Sequence, residues 1–268
     1  MSYQKEYCES IENPEAFWSC QAELINWYEK PKSILSQDEK GFYHWFKGGK
    51  LNTSYLALDF HVENGRAEQA ALIYDSPVTE TVRSYTYREL LDEVARFAGV
   101  LKNQGVEKGD RVIIYMPMIP EAVVAMLACA RLGAIHSVVF GGFAPNELAI
   151  RIDDAKPKAL VTASCGIEFT NIIEYKPLVD EAIRISSHAP ETVILLQRSQ
   201  AKASIQAGRD FDWNDLMSSA NPVDPVTVDA TDPLYILYTS GTTGLPKGVI
   251  RENGGHAVAL KYSMKAIF

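Results

Sequence analysis

From residue 70 onward, short apolar runs alternate with stretches whose apolar positions recur every three or four residues. The runs at 70–74, 111–115, 134–140, 159–162, 193–196 and 234–238 are nearly all apolar, the form of strands buried on both faces. Thr86 with Glu89 three residues on predicts a capping box. The helix behind it puts Leu90, Val94, Phe97 and Leu101 on one face and stops at Gly105. Pro120 opens a second helix that runs through Leu132 and ends at Gly133. A third is expected from Pro145 to Asp154 and a fourth over 177–187. Buried strands alternating with helices predict an α/β fold with a mainly parallel sheet, covered on both faces. Residues 221–233, rich in proline, aspartate and asparagine, predict a connector.

The first 60 residues break this rhythm. Phe17, Trp18, Trp27, Tyr43, Trp45 and Phe46 give them far more apolar surface than a loose tail carries. Short helices and loops that dock onto a larger body are expected, with the domain boundary at 60/61. Composition excludes other classes. Hydrophobic residues are 47% and charged residues 22%, values of an ordinary folded chain rather than a disordered one. Net charge is −8 with no basic block, so nucleic acid is not an expected partner. No apolar run approaches the roughly 18–20 residues that cross a bilayer, so no membrane partner is expected either. Cys8, Cys20, Cys129 and Cys165 are scattered, and His44, His61, His136, His188 and His256 lack ligand spacing. Neither a disulfide framework nor a metal site is expected, and the compartment expected is the cytoplasm.

The apolar run 234–238 leads into Thr239-Ser240-Gly241-Thr242-Thr243-Gly244-Leu245-Pro246-Lys247-Gly248. Glycines let the backbone approach an anion and turn its N–H groups inward. Ser240, Thr242 and Thr243 add hydroxyl donors, and Lys247 adds a mobile positive charge. In an acidic chain this concentration of donors after a buried strand points to a polyphosphate. It is neither a Walker A loop, since Pro246 precedes Lys247 and Gly248 follows it, nor a GxGxxG fingerprint.

This string resembles the phosphate loop of the adenylate-forming acyl-CoA synthetase superfamily. Tyr115-Met-Pro-Met-Ile-Pro-Glu-Ala122, Met126-Leu-Ala-Cys-Ala-Arg131, His136-Ser-Val-Val-Phe-Gly-Gly-Phe143 and Tyr43-His-Trp-Phe46 resemble the short-chain members, the acetyl- and propionyl-CoA synthetases. Ile73-Tyr-Asp-Ser-Pro-Val-Thr79 and Gly248-Val-Ile-Arg-Glu-Asn-Gly-Gly-His256 are more similar to the propionyl type. The resemblance implies a ligase that joins a short carboxylic acid to ATP, with Mg²⁺, and passes the acyl group to coenzyme A. It implies that residues 1–60 are the N-terminal region of the acetyl-CoA synthetase type and 61–268 an incomplete AMP-binding domain.

The same resemblance assigns the ATP phosphates to Ser240, Gly241, Thr242, Thr243, Gly244 and Lys247, and coenzyme A to Gly142 and Glu168. At 166–171 the propionyl-type pattern reads roughly Gly-Ile-Glu-Pro-Gly-Arg. Glu168 matches it, whereas Phe169, Thr170 and Asn171 depart and remove an arginine suited to phosphate. The family's adenine and acyl pockets and its catalytic lysine have no counterpart in these residues. An N-terminal fragment, inactive alone, is therefore expected. Two alternatives stay open: a non-catalytic nucleotide-binding module, and an adenylating enzyme of another branch such as an aryl-CoA ligase.

Overall fold

The chain's capping box forms as a reciprocal pair. In the computed structural model, which describes residues 3–239 and 246–268, Thr86 Oγ1 accepts from the Glu89 N–H while the Glu89 carboxylate accepts from the Thr86 N–H. It opens helix α1 (Tyr87–Asn103), whose Leu90, Val94, Phe97 and Leu101 are buried. Then follow β1 (Arg111–Met116), α2 (Pro120–Leu132), β2 (Ile135–Phe140), α3 (Pro145–Ala155), β3 (Ala159–Ala163), α4 (Tyr175–Ile185) and β4 (Thr192–Leu196). Further on lie β5 (Asp210–Asp212), β6 (Pro233–Thr239), β7 (Lys247–Glu252) and α5 (Asn253–Ala266).

The seven strands form one sheet in the order β5-β4-β3-β1-β2-β6-β7. Every neighbouring pair is parallel except β6 with β7. Strand periodicity divides the core. Val112, Ile114 and Met116 of β1 face α1 and α2, while Ile113 and Tyr115 face α3 and α4. The chain leaves β1 across one face of the sheet and leaves β3 across the other. The crevice at their carboxyl ends is the topological switch point, where open α/β sheets bind ligands.

The aromatic region contains an unexpected hairpin, Leu35–Gln37 against Tyr43–Trp45, beside helices Tyr3–Glu12 and Pro14–Ala22. Residues Ala22, Phe46 and Leu51 share a core with Val228, Ala230, Ala257 and Val258. Asn52, fully buried, ties the region down: its Nδ2 donates to the carbonyls of Ala130, Arg131 and Val226 at 3.0, 3.2 and 2.8 Å. Arg131 holds Asp59 through two bonds of 2.8 and 2.9 Å and donates to the Val223 carbonyl. The connector is more regular than its composition suggests, because Val228–Asp229 pairs with Lys50–Leu51 as a short strand.

Candidate functional site

Three glycines meet at the switch point around two tyrosines. Tyr115, at the end of β1, is fully buried, and its hydroxyl donates to the Phe143 carbonyl (2.8 Å) and accepts from the Gly142 N–H (3.1 Å). Burial pushes that hydroxyl up to about 12, so it stays a neutral donor near pH 7. Tyr175, the first residue of α4, lies with its ring 5.0 Å from that of Tyr115. A Cβ on Gly141 would stand 2.5 Å from the Tyr175 hydroxyl and 2.8 Å from the Met116 carbonyl, and one on Gly166 would collide with the same tyrosine. Only glycine fits either place.

Gly142 has φ +94°, and a Cβ there would lie 3.1 Å from Glu168 Oε1. The turn after β2 and the segment after β3 therefore bring the two residues assigned to coenzyme A together, although 26 positions separate them. Glu168 stands on a hairpin, Cys165–Glu168 against Asn171–Glu174, in which Glu168 pairs with Asn171. Two of the residues that depart from the propionyl-type pattern, Phe169 and Thr170, form its tip, and Asn171 closes it.

On the phosphate side, Ser240, Gly241, Thr242, Thr243 and Gly244 lie outside the described residues. The strands that flank them are described: Thr239, the last residue of β6, pairs with Lys247, the first of β7. The Lys247 side chain is exposed. Because β6 lies beside β2 and runs parallel to it, the segment entering residue 240 and the turn at Gly141–Gly142 leave the same edge of the sheet. Behind that edge, the Tyr238 hydroxyl donates to Asp154 at 2.7 Å; burial first, and this carboxylate second, push its ionisation well above the ordinary range.

Two of the histidines have other partners. His44 bridges Glu252 (2.8 Å) and Asp38 (3.4 Å), and His188 bonds the Pro157 carbonyl. Burial depresses His136 to about 4, so it is neutral near pH 7. Among the described residues no group of three or more His, Cys, Asp or Glu could hold a metal ion. No helix among the described residues is long and apolar enough to cross a membrane. Sequence reasoning missed Tyr115 and Tyr175. The available signal was a tyrosine ending an apolar strand, and a tyrosine following two short β-prone runs.

Comparisons with known proteins show the family. The family described as AMP-binding enzyme matches residues 60–267, and the acetyl-coenzyme A synthetase N-terminus matches residues 3–57. An uncharacterized protein of Pseudomonas aeruginosa is 59% identical over all of this chain and 43% of its own length. The propionate–CoA ligase of Escherichia coli K12 is 46% identical, again over 100% of this chain and 43% of that protein. The solved structure of acetoacetyl-CoA synthetase from Streptomyces lividans superposes with a TM-score of 0.87 at 28% identity, covering 98% of this chain and 40% of that one. The chain thus spans less than half the length of these relatives. With its α/β sheet and the family match over most of its residues, the chain belongs to the AMP-binding enzymes and carries the N-terminal region of the acetyl-coenzyme A synthetases.

Proposed function

We propose that the chain forms part of an AMP-forming ligase that activates a short carboxylic acid and transfers the acyl group to coenzyme A. Propionate is the favoured acid and acetate the next. The observation that carries this reading is the meeting of Gly142 and Glu168 at the switch point, on the same sheet edge as the strand entering residue 240. The likeness to a propionate–CoA ligase supports the choice of acid. The matched stretches, 3–57 and 60–267, support a division near residue 60. Scattered free cysteines, with Cys129 and Cys165 buried, favour the reducing cytoplasm.

In the first step a carboxylate oxygen attacks the α-phosphorus of ATP, and the bond to the β-phosphate oxygen breaks. Acyl-adenylate and pyrophosphate result. Ser240, Gly241, Thr242, Thr243 and Gly244 would offer N–H and O–H donors to the β- and γ-phosphates, and Lys247 a charge that offsets the leaving pyrophosphate. In the second step the thiol sulfur of coenzyme A attacks the acyl carbonyl. The bond to AMP breaks and the thiol proton is released. Gly142 gives the pantetheine arm a surface without a side chain, and Glu168 limits that surface on one side.

The test is ATP–pyrophosphate exchange by the protein as its source makes it, with propionate and acetate, followed by coenzyme-dependent release of AMP. Exchange with either acid supports the reading, and its absence with every short acid overturns it. ATP binding without exchange would instead favour a non-catalytic nucleotide-binding module. Residues 1–268 alone are expected to give no exchange, since they span 43% of the ligase they resemble.

A further inference from the structure

Arg151, in the middle of α3, is 7% exposed, although among the described residues its only carboxylate partner is Glu147 one turn earlier on the same helix. Nη1 donates to the Glu147 carboxylate at 2.8 Å and to the Glu147 carbonyl. Its guanidinium carbon lies 5.2 Å from the centre of the Phe143 ring and 5.4 Å from that of Tyr238. Phe143 follows Gly142, and its carbonyl takes the Tyr115 hydroxyl. Tyr238 precedes Thr239 at the end of β6, where the chain enters residue 240, and its hydroxyl is fixed on Asp154 of the same helix α3. One buried cation thus contacts an aromatic ring from each of the two segments that the proposed reaction must keep in register.

Stability alone gives a weak reason for this residue. Burying a guanidinium is costly, and an apolar side chain of similar volume in a helix core is commonly as stable or more so. What leucine or lysine cannot supply is a flat cation with two stackable faces. We propose that Arg151 is a positioning residue that couples the two subsites, setting the glycine turn at 141–142 against the strand entering the phosphate loop. The proposal rests on the ligase reading above.

The test uses the protein as its source makes it, with Arg151→Met and Arg151→Lys. ATP–pyrophosphate exchange reads the first step without coenzyme A, and thioester formation reads the second. The loss of two cation–π contacts predicts that R151M raises the KM for ATP and the KM for coenzyme A about tenfold each, with kcat for exchange changed less than twofold. R151K retains the charge and recovers only part of both. Phe143→Ala should raise the KM for coenzyme A alone, which separates one segment from the other. A lowered Tm with both KM values unchanged means a merely structural arginine and overturns the proposal, as does a shift confined to one substrate. If R151M does not fold, R151K decides by the same two constants. A wild-type protein that makes no acyl-CoA overturns the ligase reading, and this proposal with it. Wild-type activity with unshifted variants overturns the proposal alone.

Discussion

Replacing Gly142 with alanine separates a coenzyme contact from an ordinary turn. Two effects are built into the position. Its φ of +94° lies where an L side chain is strained, at a cost of about 1–2 kcal/mol. The new Cβ would also stand 3.1 Å from Glu168 Oε1. That atom ends a flexible, exposed side chain and can retreat by a few tenths of an ångström, so the clash adds little. Most of the strain must be relieved by rotating the 141–142 turn, which pulls the Gly142 N–H from the Tyr115 hydroxyl and changes the surface proposed for the pantetheine arm. If about 1.4 kcal/mol of this cost appears in coenzyme binding, the KM for coenzyme A rises about tenfold, while ATP–pyrophosphate exchange is unchanged. Gly208 is the matched control: its φ is +84° and nothing lies within 4 Å of a Cβ there. G208A should lose similar stability with no change in either constant. Equal KM values for coenzyme A in G142A and G208A would remove Gly142 from the coenzyme site, and a fall in exchange would move its role to the first step.

His136 should make the fold acid-sensitive. Burial holds it near 4 in the folded chain against 6.5 unfolded, so its contribution is complete above pH 6.5 and is lost as pH falls toward 4. At about 1.4 kcal/mol per unit, the loss by pH 4.5 is about 2–3 kcal/mol. Denaturant unfolding at pH 7 and 4.5 should show that His136→Phe loses less stability on acidification than wild type, whereas equal losses would assign the sensitivity to other groups. Asn52→Leu removes a donor from the carbonyls of Ala130, Arg131 and Val226 and leaves the Tyr55 N–H without its side-chain acceptor, and should cost about 2 kcal/mol or more. A cost under 1 kcal/mol in the same unfolding assay would mean that the 1–60 region docks by its apolar surface alone.

What the sequence showed was local. The capping box at Thr86, Pro120 at the start of α2 and Gly133 at its end act within one turn of chain, and the structure reproduces each of them. The strand–helix alternation also sufficed for a mainly parallel sheet, because strands buried on both faces must be nearly all apolar. It misplaced 70–74, which lies outside that sheet, half exposed, and pairs antiparallel with Thr81–Thr86. The unread features depend on distant partners. The connector looked irregular because its hydrogen bonds go elsewhere: Val223 donates to Ala95, Val226 to Arg131, and Val228–Asp229 pairs with Lys50–Leu51. Tyr175 matters through Gly141, 34 positions earlier, and Arg151 through Tyr238, 87 positions later. Gly142 and Glu168 came from resemblance, and spacing alone could not have paired them.

The departure at 169–171 can be located with the same reasoning. The hairpin register aligns Ile167 with Ile172 and Glu168 with Asn171, so Glu168 is held by the paired strands and not by the tip. Phe169 at the tip has φ +54° and is 93% exposed, so its ring has almost no packing to offset the left-handed backbone. Asparagine tolerates that conformation better than phenylalanine. Phe169→Asn should therefore raise stability by about 1 kcal/mol and leave the KM for coenzyme A within twofold. A melting curve and a coenzyme titration of the active protein check both expectations. A KM that rises fivefold or more would show that the exposed ring itself touches the coenzyme, and that this chain has replaced the arginine of the propionyl-type pattern with a stacking surface. An unchanged KM with a higher Tm means that the departure altered only the hairpin tip, and that coenzyme recognition here rests on the glycine turn and the groups around it.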